Sequence, residues 1–467
     1  MATGRPDFRM ASDDLSQTTV AEHLAQKICA LDAARLPQSV RRKCEDLVVD
    51  VVGLAITARN ADYVRSALAA TADDGPCTAI GHSRTLTASG AALLNGTAVH
   101  GEDFDDTFEG GPVHAGAVIV PAVLAACERH RLDGGAALVG LCVGVETMCR
   151  LSLVAPTLTH KAGFHPTAVF GTMGAAAGVG AALKLSPRQL VDALGTAGSF
   201  AGGIIEYLAE GAWTKRLHAG WAAQAGLQAA LFGRAGFCGP RTVLEGVHGF
   251  FNAFAHTTAG DYDALIGGFG EHWVTPTLAF KPYPCGTMTH PYIDCARALA
   301  ARGVKAEDVA EMVCEVGEGT VHRLWEPLAA KQRPANGYAG KFSTPYCIAA
   351  GLVRGNVGLG DFSDAAVRDP RLIALAEKIR YQIDPHNPYP KSLTGHIRAR
   401  LRDGSVVEER QPHLRGGAQE PLTRADIEEK FLLNARHGGF EEERAVAALR
   451  ALATVFDGPL NLTPVRG

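Results

Sequence analysis

The sequence predicts a mainly α-helical protein, with a large all-helical domain followed by a smaller α/β (α+β) domain. Three observations predict it. Apolar residues recur at i, i+3, i+4 spacing through the first half, and the pattern changes to alternation beyond residue 275. The chain is also 467 residues long, past the size at which one hydrophobic core stops growing.

Thr18 or Thr19 can cap a first helix carrying Val20, Leu24 and Ile28. After Pro37 a second helix carries Val40, Cys44, Leu47, Val48, Val51 and Ala55 on one face. Segments 117–129, 136–151, 167–183 and 187–201 continue the pattern. Gly171, Gly174, Gly178 and Gly180 fall inside an apolar helix, where glycine lowers helix propensity, so they predict close helix–helix approach. Residues 312–316 alternate like a strand, and residues 397–401 do so again before Asp403-Gly404, a hairpin turn signal. Thr423 and Asp426 then open a C-terminal helix with a capping box. The expected division is 1–274 helical with 416–467 returning to it, and 275–415 α/β.

Composition excludes several functions. With 47% hydrophobic and 20% charged residues the chain reads as an ordinary globular protein. A net charge of −4 without a basic run gives no footprint for nucleic acid. The eleven cysteines are scattered and form no C-x-x-C, against a disulfide framework, a zinc ribbon or an iron–sulfur cluster. Residues 1–17 hold no apolar signal-peptide core, and the most apolar stretch, 168–183, is too short for a membrane span. The expectation is a cytoplasmic protein with reduced thiols and no membrane partner.

Four stretches concentrate chemistry. In the first, His100 is followed by Glu102, Asp103, Asp105, Asp106 and Thr107, then His114. So many carboxylates in one place must be solvated, paired with cations or partly protonated. Helix capping with an ion-pair network explains them as well as catalysis does, and the spacing matches no EF-hand or other metal loop. In the second, Gly163-Phe164-His165-Pro166, the proline puts His165 at a helix N-terminus. There the helix dipole favours a neutral base, although a plain structural cap fits too. The third, Thr214-Lys215-Arg216-Leu217-His218, suits an anion, with Lys215 binding a carboxylate or moving a proton; a solvated helix start is the alternative. The fourth runs from Lys281 through Pro-rich sequence to Cys285-Gly286 and His290, with Lys341, Ser343 and Tyr346 further on, and reads equally as a rigid linker.

In this order, Asn95-Gly96, Asp103 to Thr107, His114, Gly163 to Pro166, Thr214-Lys215 with His218, Lys281 to His290 and Lys341 to Ser343 resemble the MmgE/PrpD family along nearly the whole chain. The resemblance implies a helical domain, an α/β lid domain and a homodimer. It also implies proton transfer next to a carboxylate of a small anionic polycarboxylate, with no metal or organic cofactor. Asp103, Thr107, His114, His165, Lys215 and Tyr346 would line the site, and His290 matches a family histidine. On that basis His165 or His114 is the base, Lys215 with Arg216 or Lys281 binds substrate carboxylates, Asp103 orients a histidine, and Tyr346 or the other histidine is the acid. His218, Lys341 and His290 complete the expected substrate contacts.

Gly286 stands where a decarboxylase of this family is expected to carry a histidine, and the Thr107–His114 spacing is a residue longer. Both departures put a 2-methylcitrate-type hydro-lyase, or an iminodisuccinate-type epimerase, ahead of a cis-aconitate-type decarboxylase. The rivals from other classes are a non-catalytic carboxylate-binding protein and a metal-dependent or iron–sulfur lyase.

Overall fold

The structure is a computed structural model that describes residues 18–71 and 73–467. The stretch read for a signal peptide, 1–17, lies outside the described residues. The first helix, Val20–Cys29, opens on Thr19, whose hydroxyl accepts from the Glu22 amide at 3.3 Å while the Glu22 carboxylate accepts from the Thr19 amide at 2.8 Å. This reciprocal bonding satisfies two of the donors that any helix start leaves open.

Seven longer helices carry the first apolar core: Gln38–Ala58, Ala88–His100, Gly116–His130, Gly134–Val154, Pro166–Ala182, Pro187–Phe200 and Thr214–Arg234. Gly174 and Gly178 work as expected, by letting backbones meet, whereas Gly171 and Gly180 face the side chains of Val118 and Leu190. A Cβ on Gly178 would sit 2.6 Å from the Gly140 carbonyl oxygen. A Cβ on Gly220 would sit 2.1 Å from the Leu93 carbonyl oxygen, so helix Thr214–Arg234 lies directly on helix Ala88–His100. That second crossing brings Lys215 and His218 toward His100. Among the described residues one helix, Gly134–Val154, is long and apolar enough to cross a membrane, and 89% of its apolar window is buried in this core.

A second apolar core is built from residues between Tyr283 and Ala399. Its four-stranded sheet has Val309–Val316 in the middle, parallel to Ile379–Ile383 on one side and antiparallel to Gly395–Leu401 on the other, with Val406–Gln411 outermost. The Asp403-Gly404 turn closes the hairpin as read, with Gly404 at φ +88 and the Leu401 amide donating to the Ser405 carbonyl at 2.8 Å. The capping box on Thr423 opens helix Arg424–His437, which returns to pack on Gln38–Ala58 in the first core.

A short antiparallel pairing links the two halves where it matters. Thr107 pairs with Ala279 and Phe108 with Leu278, which ties the end of the aspartate loop to the segment that carries Lys281.

Candidate functional site

The site grows out of the C-terminal end of helix Ala88–His100. His100 is its last residue and the chain then turns through Glu102 to Asp106, with Asp103 in a left-handed conformation at φ +54. Such a conformation is unusual for a residue with a side chain and persists only where its surroundings hold it. Asp103, Asp105 and Asp106 are all buried.

Each carboxylate has a different fate. Asp106 caps helix Gly116–His130 by accepting from the amides of Ala115 and Gly116 at 3.0 and 2.9 Å. Burial, with Asp105 and Asp50 nearby, pushes its carboxyl up to about 8. Asp105 takes the His100 ring, Nδ1 to Oδ2 at 2.7 Å. Asp103 pairs with the Lys215 ammonium. Burial alone would raise both, but Lys215, Lys281 and His100 around Asp103, and His100, His114 and Lys281 around Asp105, outweigh it and hold them well below the usual carboxylate range.

Four imidazoles gather over this loop. His100 is tilted against His114 with ring centres 5.1 Å apart and stacks on His165 at 5.5 Å. His165 meets His218 through the two Nδ1 atoms at 3.1 Å. Tyr207 closes the group with its ring set edgewise to His165 and His218 at 6.0 and 5.8 Å. His165 does stand at the N-cap of Pro166–Ala182, but its side chain makes no capping bond, so the plain-cap reading falls away. His114 Nδ1 contacts the Asp106 carbonyl oxygen at 2.6 Å. A carbonyl only accepts, so Nδ1 carries the proton and the neutral ring keeps its lone pair on Nε2. Burial draws His114 down to about 3 and His218 to about 4, and pulls His165 well below its ordinary value.

The cations come from three segments. Lys215 lies 5.5 Å from the centre of the Phe342 ring. Lys281 donates to the Asp103 carbonyl at 3.0 Å and stands 4.0 Å from the Asp105 carboxylate. Lys341 binds the Glu102 carbonyl at 2.6 Å and its carboxylate at 2.8 Å. Arg216 is held between the rings of Tyr63 and Tyr338 at 4.5 and 5.0 Å.

The structure therefore brings together Asp103, His114, His165, Lys215, His218 and Lys281, with Thr107 directly after the loop and Arg216 and Lys341 at its margin. It does not bring Tyr346 or His290 to the group. The Tyr346 hydroxyl donates to the Asp361 carbonyl inside the second core, because helix Thr344–Arg354 presents that ring to its own domain. His290 is fully buried with Nε2 on the Cys285 carbonyl at 3.2 Å and its ring edge-on to Tyr283. The tyrosine of the later segment that lies against a cation of the site is Tyr338, over Arg216. Sequence reasoning missed it, together with His100, Asp105 and Tyr207 as members of the group. For His100 and Asp105 the signal was present, since both fall inside the stretch already singled out; nothing in the spacing marks Tyr207 or Tyr338.

His100, Asp105 and His114 offer three atoms within 4.8 Å of one another that suit a metal. In both rings, however, Nδ1 is engaged: by Asp105 for His100 and by the Asp106 carbonyl for His114. That leaves Nε2 of each ring as the nitrogen that could ligate an ion, so these hydrogen bonds describe the trio without excluding a metal.

Neutral imidazoles beside buried ammonium groups make a site that can accept a proton next to negative charge. The chain belongs to the MmgE/PrpD family: the MmgE/PrpD N-terminal domain matches residues 22–262 and the C-terminal domain matches 283–454. It is 28% identical to the cis-aconitate decarboxylase-like protein oryM of Aspergillus oryzae over 444 residues, covering 90% of this chain and 91% of that one. To the cis-aconitate decarboxylase of Mus musculus it is 30% identical over 356 residues, 74% of this chain and 71% of the relative. To the 2-methylcitrate dehydratase of Cupriavidus necator it is 26% identical over 182 residues, 35% of this chain and 37% of the relative.

Proposed function

We propose that the protein is a lyase working without a metal or organic cofactor, which removes a proton next to a carboxylate of a small polycarboxylate and expels the neighbouring hydroxyl as water. The observation that carries this reading is a geometry: His165 and His218 meet through Nδ1 atoms 3.1 Å apart, and His114 is held through Nδ1 on the Asp106 carbonyl, in the site where Lys215 pairs with Asp103. A substrate carboxylate binds at Lys215, with Arg216 beside it. His114 Nε2 takes the proton from the adjacent carbon, the electron pair becomes a C=C bond, and the C–O bond breaks. Tyr207, whose hydroxyl is kept protonated by burial, hands its proton to the departing hydroxide, and the proton on His114 resets the site. General acid–base help of this kind is worth about 10²–10⁴-fold.

A second reading, decarboxylation, has one specific observation in its favour: similarity to cis-aconitate decarboxylases runs through most of the chain, whereas that to the 2-methylcitrate dehydratase covers 35%. In that reaction a C–C bond breaks, CO₂ leaves, and the carbon takes a proton from the site. Proton NMR of the EDTA-treated protein in deuterated buffer, with 2-methylcitrate, citrate, cis-aconitate and iminodisuccinate, decides between them. Loss of water from a citrate supports the first reading and release of CO₂ from cis-aconitate the second. Deuterium exchange without net loss identifies an epimerase. No change in any of the four sinks both lyase readings and leaves a carboxylate-binding protein.

A further inference from the structure

We propose that Lys430, on the C-terminal helix Arg424–His437, is a positioning residue of the histidine site, acting through the backbone of the aspartate loop. The proposal rests on the reading of that site given above. Three consecutive carbonyls of the loop each accept from a different lysine: Glu102 from Lys341 at 2.6 Å, Asp103 from Lys281 at 3.0 Å, and Phe104 from Lys430 at 2.8 Å. The three lysines are 3%, 2% and 7% exposed and come from widely separated parts of the chain.

Lys430 is held from below. Its ammonium pairs with Asp50 at 2.7 Å and stands 3.9 Å from the centre of the Phe104 ring. The helix register that delivers it is fixed by small and polar residues. A Cβ on Gly53 would meet the Phe431 ring at 3.0 Å, and the Thr57 hydroxyl donates to the Asn434 carbonyl at 2.6 Å. Asp50, Gly53 and Thr57 share one face of helix Gln38–Ala58, and they meet Lys430, Phe431 and Asn434 across the crossing.

An ion pair that only joined two helices would need no loop carbonyl, and apolar side chains of similar size join helices as well or better. What the ammonium adds is a fixed Phe104 peptide. That peptide separates Asp103, held at φ +54 against Lys215, from Asp105, held against His100. With the peptide anchored, the two carboxylates keep their partners and the imidazoles keep their places. Without it, the unusual Asp103 conformation loses one of the contacts that enforce it.

The test is the double variant Lys430→Met with Asp50→Asn, which removes both charges and so leaves neither orphaned. We expect a melting temperature close to wild type and faster amide exchange in residues 101–107. Turnover should fall roughly ten- to hundredfold, the scale of loss that a small displacement of the reacting groups produces, with KM little changed. Wild-type kcat and wild-type loop exchange in a folded double variant would overturn the proposal. Gly53→Ala serves as the second variant, since it displaces the helix without touching a charge. It should also loosen the loop, and unchanged exchange there counts against the idea. If the wild type turns over none of the acids tried, the reading of the site falls, and loop exchange alone decides the role of Lys430.

Discussion

His165 and His218 face each other through Nδ1 atoms 3.1 Å apart. Neutral rings can make that contact only if one holds its proton there and the other offers a lone pair. If both were charged, two N–H groups would point at each other in a buried space. The contact therefore agrees with the low basicity that burial imposes on both rings, and it supplies a proton that can move by exchange of tautomers.

The first prediction concerns pH. An exposed histidine titrates near 6.5, whereas His218 is drawn down to about 4 and His114 to about 3. In the unfolded chain both take protons below 6.5, and in the folded protein they do not. Each contributes stability that is fully present above 6.5 and is lost as the pH falls toward 4 and 3. NMR of the imidazole Cε1 protons should show no titration of these rings between pH 8 and 5. The urea midpoint should decline over pH 6.5 to 4. Titration of either ring near 6.5 would refute the neutral-base assignment.

The second prediction is that Lys215→Ala destabilises more than Asp103→Asn with Lys215→Ala. Both side chains are largely buried, at 12% and 4% exposure. Removing the ammonium alone leaves an uncompensated buried carboxylate, which costs roughly 3–5 kcal/mol. Removing both charges should recover most of that stability. It should not recover turnover, if Lys215 also binds the substrate. Thermal melts with parallel rate measurements separate the two effects, and a double variant with wild-type turnover would remove Lys215 from the mechanism.

The fold was legible in the sequence because it rests on periodicity. The helices around Val40 to Ala55, the Asp403-Gly404 hairpin and the Thr423 capping box are local signals, and all three stand where the pattern put them. The site was legible where one short stretch holds several members, as between His100 and His114. Tyr346 and Tyr338 show the limit. The two lie on successive helices, Gly337–Gly340 and Thr344–Arg354, eight residues apart. One ring turns to Asp361 and the other to Arg216, a choice made by long-range packing that leaves no trace in spacing. Lys281 and Lys341 show it too: their charge suited substrate, yet both ammonium groups rest on loop carbonyls.

The third prediction addresses assembly. Helix Thr214–Arg234 exposes Leu217, Trp221 and Phe232 along one side, and Trp213, Ile204 and Leu208 extend the surface, with Ile204 61% and Trp221 49% exposed. Exposed apolar side chains along one helix suit an interaction site, and a second copy of the chain is the partner the family resemblance implies. Trp221→Lys should convert a dimer to a monomer in sedimentation equilibrium. Because Lys215 and His218 lie on the same helix, loss of the dimer should also weaken substrate binding. A wild-type protein that is monomeric throughout the concentration range would refute the assignment.

The fourth prediction uses Gly286, the position where the family resemblance led us to expect a histidine in a decarboxylase. A Cβ there meets nothing closer than the Lys341 carbonyl oxygen and the Phe342 ring, both at 3.5 Å, which is ordinary contact distance. Gly286 also has a negative φ near −59, so a side chain costs no backbone strain. Gly286→His therefore fits at its Cβ, but position 286 is buried, so the ring must make room among Lys341, Phe342 and Leu324, and its imidazole would start beside the segment that carries Lys341. Decarboxylation needs a proton donor at the carbon that CO₂ leaves, and burial lowers the basicity of His114, His165 and His218. If the absent histidine is what separates the two reactions, this variant gains CO₂ release from cis-aconitate while the loss of water from a citrate falls. A wild-type protein that already releases CO₂ as fast as the variant would show that position 286 does not set the reaction, and would put decarboxylation ahead of dehydration.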